Sequence, residues 1–176
     1  DRIRVYNTCA GYLYGRGRAD QNSTGNWGLP TKNARGPYED LDAFMNRADE
    51  LAESLLSQGI TGMKIWPFDP AAELTDGVYI SKPDLEKGLE PFRKIRKAVG
   101  NKMDIMVELH CMWNLPTAKR IAQALEEFDP FWFEDPIKMD NLAALQEYAR
   151  ATRVPVTASE TLATRWTFRE LLERRA

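Results

Sequence analysis

Residues 104–135, DIMVELHCMWNLPTAKRIAQALEEFDPFWFED, contain one complete repeat of the pattern that runs along the chain. This stretch opens with a short apolar run, residues 104–109, and closes with another, residues 131–135. Between these runs, residues 116–128 carry apolar side chains at helical spacing. A strand, a helix and a second strand in this order predict two parallel strands joined by a helical crossover.

The same unit repeats along most of the chain. Further strands are predicted near residues 2–10, 61–66 and 154–160, and further helices at residues 41–58, 84–99, 141–152 and 167–174. Gly59 and Gly100 directly follow two of these helices, as is typical of a helix C-terminus. This alternation predicts an α/β fold with a parallel sheet, either doubly wound or closed as a TIM-like barrel.

The region after the first predicted strand favours the barrel. GYLYGRGRADQ, residues 11–21, is not followed directly by a helix, unlike the glycine-rich loop of a dinucleotide-binding sheet. A complete (β/α) barrel takes roughly 250 residues. The chain has 176 residues, so residues 1–176 are predicted to be a fragment of a catalytic barrel with the first five or so βα units. Residues 11–40, rich in Gly, Asn and Pro, are predicted to form an active-site loop within it.

Composition and charge narrow the class of function. A net charge of -2 gives no electrostatic reason to expect nucleic acid or an anionic membrane as a partner. No apolar run approaches the roughly 18 residues that a membrane-spanning helix needs. Cys9 and Cys111 form no C-x-x-C motif and no disulfide framework, so free thiols and a cytoplasmic location are expected. A small molecule is the expected partner.

Three glutamates end successive predicted strands. Glu108, Glu134 and Glu160 are each 26 residues apart, which is one βα unit. Because chemistry in a barrel lies at the carboxyl ends of the strands, equal spacing brings the three carboxylates to one height on neighbouring strands. Like charges repel strongly in a small pocket unless a cation compensates them. Oxygen ligands favour Mg²⁺, and Mn²⁺ after it, although any one such glutamate alone is more often solvated or salt-bridged.

Two further side chains are candidates for proton transfer. His110, the one histidine in the sequence, lies two residues after Glu108 and shares its face if the strand continues that far. Its near-neutral pKa suits acid–base catalysis, although a lone histidine is often structural. Cys111 then points away, which argues against a Cys–His nucleophilic pair. Lys64 is predicted to bind a substrate carboxylate or to act as a base, with a surface lysine as the alternative.

Three more side chains are candidates for substrate binding. Arg165, shortly after Glu160, is predicted to hold an anionic substrate or to cap the barrel rim. Trp66 and Trp113 are predicted to wall the pocket or to pack the rim.

Four motifs, GMKIWPFD, VELH, FWFEDPI and VTASETLATRW, together resemble the enolase superfamily, specifically its mandelate racemase and muconate-lactonizing subgroup. The resemblance spans essentially the whole chain. It implies a modified (β/α)7β barrel, an N-terminal α+β lid domain that is absent here, and metal ligation by Glu108, Glu134 and Glu160. The superfamily is itself an established example of removal of the proton α to a carboxylate, with Mg²⁺ stabilising the enediolate.

A histidine two residues after the first ligand is similar to the galactonate and mannonate dehydratase type. The resemblance therefore implies that His110 protonates a departing 3-hydroxyl, while a second histidine on later strands takes the C2 proton. Two features depart from the pattern, since Glu108 stands where Asp is more common and Lys64 stands alone where the racemases carry Lys-x-Lys.

The sequence thus predicts a Mg²⁺-dependent acid-sugar dehydratase, a hydro-lyase whose partner is a small-molecule sugar acid and which forms a homo-oligomer when full length. Two alternatives stay open. One is a racemase, epimerase or cycloisomerase on the same scaffold, and the other is an inactive half-barrel with exposed sheet edges.

Overall fold

A computed structural model describes residues 2–11 and 39–176. Four parallel strands form one sheet in chain order: β1 (Gly62–Ile65), β2 (Asp104–Glu108), β3 (Trp132–Glu134) and β4 (Val156–Thr157). The helices are α1 (Asp40–Asn46), α2 (Ala48–Ser57), α3 (Asp69–Thr75), α4 (Lys82–Val99), α5 (Leu115–Leu125), α6 (Leu142–Ala151) and α7 (Thr164–Arg174). Helical crossovers between parallel strands confirm the predicted α/β class.

Local capping fixes where the crossover helices begin. The side chain of Ser81 accepts a hydrogen bond from the backbone N–H of Asp84 at the start of α4. Asn114 caps α5 and Asn141 caps α6 by the same kind of bond to a backbone N–H three residues on. These side chains satisfy donors that the first helical turn leaves without a partner.

The sheet is apolar between its helices. Four of the five residues of β2 are buried, and the central side chains Met63, Ile105 and Phe133 are excluded from solvent on three neighbouring strands. Continuous apolar strands are typical of a parallel sheet covered by helices. The register pairs Glu108 of β2 with Glu134 of β3, so the carboxyl ends of these two strands lie level.

One predicted helix is interrupted, and one observed helix was not predicted. The helix predicted at residues 41–58 divides into α1 and α2 at Arg47, whose φ of -138° and ψ of 47° are not helical. Lys94 of α4 donates to the carbonyl of Asn46, which occupies one of the acceptors freed at the end of α1. The short helix α3, by contrast, was not predicted.

The predicted first and last strands are much shorter than expected. Within residues 2–10, only Asn7 pairs with β1, through bonds with the backbone of Gly62 and Lys64. The Asn7 side chain then accepts from the N–H of Cys9, which turns the chain away from the sheet. The strand predicted at residues 154–160 is correct only for Val156–Thr157.

Most of the predicted active-site loop at residues 11–40 lies outside the described residues. In the part of the chain that the structure describes, no helix is long and apolar enough to cross a membrane. Both cysteines are free thiols, as predicted.

Candidate active site

Two carboxylates meet at the carboxyl edge of the sheet. Glu108 is the last residue of β2 and Glu134 is the last residue of β3. The Glu108 side chain is only 1% exposed and that of Glu134 is 19% exposed. The equal spacing in the sequence therefore predicted a real juxtaposition for this pair.

A lysine ammonium lies between the two carboxylates. Lys64 on β1 is level with Met106, two residues before Glu108, and its long side chain spans the difference. The Lys64 Nζ is 2.8 Å from Glu108 Oε2 and 2.6 Å from Glu134 Oε1. Burial lowers the pKa of Lys64, but its contacts with Glu108 and Glu134 outweigh burial and raise the pKa above its usual value. An ammonium held in this way is a poor base, and Lys64 here serves to neutralise the two carboxylates.

The remaining carboxylate oxygens are also engaged. Glu108 Oε1 accepts from the backbone N–H groups of Leu109 and His110, at 3.1 and 3.0 Å. Glu134 Oε2 accepts from the indole N–H of Trp132 at 3.1 Å. Burial raises the pKa of Glu134, while the hydrogen bond from Lys64 opposes that rise. The two carboxylates are thus fixed in direction before any ligand binds.

His110 reaches the site by a turn. The prediction that it shares a strand face with Glu108 required the strand to continue, but β2 ends at Glu108. His110 and Cys111 have positive φ values, 48° and 58°, which redirect the backbone. The turn still brings His110 beside the buried carboxylate of Asp69, with 2.8 Å between Nδ1 and Oδ2.

The environment of His110 combines burial with negative charge. Burial lowers the pKa of His110, but the hydrogen bond and charge of Asp69 outweigh it, and the net pKa is raised. Glu108 and Glu160 contribute to the same rise. Asp69 was not singled out from the sequence, although an acidic residue soon after a strand, in WPFD, is a signal that marks the catalytic edge.

Glu160 stands apart from the other two glutamates. It is exposed and lies beyond the end of β4 at Thr157. Its backbone N–H donates to Asp135 Oδ2 at 3.1 Å, and the hydroxyl of Ser159 donates to the same oxygen at 3.2 Å. The buried Asp135, also missed in the sequence, therefore fastens the segment that carries Glu160 to the end of β3.

The carboxylates of Glu108 and Glu134 are arranged so that they could bind a hard cation such as Mg²⁺. Glu108 and Glu134 direct one oxygen each at a single positive group, the Lys64 ammonium, which stands in for a cation. Carboxylate oxygens suit Mg²⁺ or Mn²⁺. Among residues 2–11 and 39–176, no three His, Cys, Asp or Glu side chains converge as a ready metal site. Ligation by Glu108, Glu134 and Glu160 together thus stays a prediction.

The three predicted substrate contacts are divided between surface and core. Arg165 is exposed on α7, with its guanidinium 4.6 Å from the centroid of the Trp166 ring. Trp66 and Trp113 are buried in the apolar core, where Trp66 packs edge-on against Phe44. Burial favours the packing alternative for both tryptophans, and a substrate contact by Arg165 stays a prediction.

Comparison with known proteins shows which family the chain is similar to. A family model described as "Enolase C-terminal domain-like" matches residues 47–176. A D-gluconate/D-galactonate dehydratase of Picrophilus torridus is 30% identical over 132 residues, which are 73% of this chain and 32% of that protein. The chain thus spans about a third of the length of this curated relative.

Solved structures extend the likeness. A crystal structure of an enolase of the mandelate racemase subgroup from Agrobacterium tumefaciens is 65% identical, with a TM-score of 0.72 over 74% of this chain and 36% of that one. A mandelate racemase/muconate lactonizing enzyme-like protein from Rubrobacter xylanophilus is 26% identical, with a TM-score of 0.74 over 99% of this chain and 41% of that one.

Proposed function

This chain belongs to the enolase C-terminal domain-like family, and on that premise we propose that it is part of a Mg²⁺-dependent acid-sugar dehydratase. The family confirms the predicted resemblance and the TIM-barrel-like fold, of which this chain is a partial barrel. Curated relatives at about 30% identity act as acid-sugar dehydratases, which supports a hydro-lyase reaction on a small-molecule sugar acid.

One observation carries the proposal. The carboxylates of Glu108 and Glu134 converge on a single cationic group at the carboxyl ends of adjacent strands, beside a histidine bonded to a buried aspartate. An anion-lined rim next to a proton donor suits removal of a weakly acidic proton followed by loss of a hydroxyl. A purely structural salt-bridge cluster needs no histidine at its edge.

Each residue has a distinct proposed role. Glu108, Glu134 and Glu160 would hold the Mg²⁺. When bound, the ion supplies positive charge that stabilises the negative charge developing on the substrate carboxylate. Lys64 orients that carboxylate, and His110 gives a proton to the 3-hydroxyl. A base outside the described residues takes the C2 proton. The electrons left at C2 form the C2=C3 double bond as the C3–O bond breaks, and the protonated hydroxyl leaves as water.

The test is a screen of the full-length protein against acid sugars with Mg²⁺, detecting 2-keto-3-deoxy products. His110→Asn is run beside Lys119→Gln, a control at a partly exposed lysine on α5 that pairs with Glu147. Turnover that needs both the metal and His110, with the control unaffected, is the expected result. Dehydration that survives loss of His110 at the wild-type rate contradicts the role given to this residue.

A second candidate is racemisation or epimerisation on the same scaffold. It is favoured by the 65% identical solved structure, which is described as a member of the mandelate racemase subgroup. Such a reaction exchanges the α-proton with solvent and retains the 3-hydroxyl. Incorporation of solvent deuterium at C2, together with an epimeric product and no keto acid, would favour it over dehydration.

A further inference from the structure

We propose that Asp69 is a positioning residue that fixes the tautomer and the orientation of His110, so that proton transfer falls to the Nε2 atom. This proposal rests on the proposed function for the role of His110 in turnover. Its structural part concerns only Asp69 and the imidazole, which are 41 residues apart in sequence and in direct contact.

The contact between Asp69 and His110 joins two buried side chains, and its geometry favours His110 as the donor. The Asp69 side chain is 0% exposed and that of His110 is 6% exposed, with 2.8 Å between Oδ2 and Nδ1. Burial raises the pKa of Asp69, while the hydrogen bond and charge of His110 oppose that rise. When the carboxylate is ionised it only accepts hydrogen bonds, so the hydrogen of this contact then belongs to Nδ1. Among the described residues, Asp69 Oδ1 has no hydrogen-bond partner. The bond between Oδ2 and the imidazole of His110 is therefore the main polar contact of this buried carboxylate. A carboxylate buried in this way is costly unless it is paired.

The imidazole is also held from two other sides. The backbone N–H of His110 donates to Glu108 Oε1 at 3.0 Å, which ties the turn to the end of β2. The buried indole of Trp66 packs edge-on against the ring, with centroids 5.5 Å apart and planes at 81°. The backbone bond holds the turn, and the indole limits the orientation of the ring. Asp69 then sets which nitrogen carries the proton.

Asp69 is itself rigidly placed. It is the first residue of α3 and follows the buried Phe68. Phe68 lies against α4 at Gly88, where a Cβ atom would come within 2.2 Å of its ring. A positioning group is useful only if its own support is fixed. The close approach of Phe68 to α4 therefore helps to hold Asp69 in place.

The proton balance follows from this geometry. In the protonated imidazole both nitrogens carry hydrogen, and Nδ1–H stays bonded to Asp69. After a base outside the described residues has taken the C2 proton, the Nε2–H bond breaks as its proton passes to the 3-hydroxyl oxygen. The electrons left at C2 then form the C2=C3 double bond, and the C3–O bond breaks with release of water. The neutral ring then keeps its proton on Nδ1, ready for reprotonation at Nε2. In other enzymes, replacing a carboxylate that selects one imidazole tautomer lowers kcat strongly, because the ring then carries its proton on the wrong nitrogen.

The tautomer can be read directly by NMR. Full-length protein labelled with ¹⁵N-histidine gives long-range ¹H–¹⁵N spectra, with the His110 signals identified by their loss in His110→Gln. At alkaline pH, where the ring is neutral, we expect a proton-bearing Nδ1 and an unprotonated Nε2. Asp69→Ala is expected to move the proton towards Nε2 and to lower kcat about 10-fold to 1000-fold, with a smaller change in KM. Asp76→Asn removes an exposed aspartate at the end of α3 and is expected to leave the spectrum and kcat unchanged.

Either of two results overturns the proposal. One is a neutral wild-type His110 with its proton on Nε2, which decides the matter even if Asp69→Ala fails to fold. The other is a folded Asp69→Ala variant with an unchanged tautomer and an unchanged kcat. Should the wild type dehydrate no sugar acid, the proposed function fails by itself, and the spectra still decide whether Asp69 sets the tautomer.

Discussion

At the scale of single residues, Lys64 compensates the negative charge of the two carboxylates in the candidate site. Its side chain is 12% exposed, and its ammonium bridges two carboxylates of neighbouring strands. Partners in such a cluster are costly to separate, because removing the cation leaves two negative charges close together in a partly buried setting.

Replacing Lys64 with Met is expected to lower the free energy of unfolding by about 3 kcal/mol, as is usual when one partner of a buried ion pair is removed. Added Mg²⁺ is expected to restore part of this loss, because a divalent cation compensates the same carboxylates. Urea unfolding followed by circular dichroism, with and without Mg²⁺, measures both effects.

The matched control is Lys119→Met, which removes the exposed ion pair with Glu147. Its expected cost is below about 1 kcal/mol, without dependence on Mg²⁺. If the two variants behave alike, Lys64 does not hold the carboxylate pair in the way described.

Residue spacing predicted part of the site and missed the rest for a clear reason. Glu108 and Glu134 were found because equal positions on neighbouring parallel strands are visible as a repeat in the sequence. Asp69 and Asp135 act through contacts with residues 41 and 25 positions away, and no local pattern encodes such contacts. The position of His110 depended on positive φ values that a strand pattern does not predict.

At the scale of the elements, the end of β3 supports the segment that follows β4. The Asp135 carboxylate accepts from Ser159 and from the N–H of Glu160. Asp135→Ala leaves these donors without their acceptor, with an expected cost of about 2 kcal/mol. It is also expected to weaken divalent-cation binding, because Glu160 loses its support. Calorimetric titration with Mn²⁺ measures the affinity.

Asp140→Ala, at an exposed position on the same loop, is the control for this experiment. We expect wild-type affinity and a change in stability within about 0.5 kcal/mol. Wild-type Mn²⁺ affinity in Asp135→Ala would mean that the position of Glu160 does not depend on this bond or that Glu160 is not a ligand.

The contact between Phe68, just before α3, and Gly88 of α4 leads to a second prediction for the elements. Alanine is normally the better helix former, so Gly88→Ala in an exposed helix would add roughly 1 kcal/mol of stability. Here the new Cβ would lie 2.2 Å from the Phe68 ring, and we expect a net loss of about 1–3 kcal/mol. Thermal unfolding of Gly88→Ala beside Lys87→Ala, at the exposed neighbouring position, measures this. A stabilised Gly88→Ala would contradict the close approach.

The existence of the main helices and strands was predicted better than their limits. Apolar periodicity with caps such as Ser81 marks a helix regardless of its neighbours. The break at Arg47 and the short pairing at Asn7 depend on bonds from distant elements, Lys94 and β1. Those bonds come into being only when the chain is folded.

At the scale of the whole molecule, the last helix and the last strand of the described residues are both partly uncovered. Helix α7 exposes three large apolar side chains, Trp166, Phe168 and Leu172. Within the described residues, β4 lies at the edge of the sheet and pairs with β3 alone. Exposed apolar patches and unpaired strand edges favour association. We expect the isolated 176-residue chain to self-associate, and the double variant Trp166→Ser/Leu172→Ser to do so less. Light scattering over a concentration series measures this, and a monodisperse monomer would contradict it.

We propose that three glutamates from successive βα units hold one divalent cation, and a Mn²⁺ titration of the full-length protein tests this. Glu108→Gln, Glu134→Gln and Glu160→Gln are compared with Glu147→Gln, whose carboxylate is exposed on α6. We expect one site per chain, weakened at least about 10-fold by each of the first three changes and unaffected by the fourth. Wild-type affinity in any one of the first three variants would contradict ligation by all three glutamates.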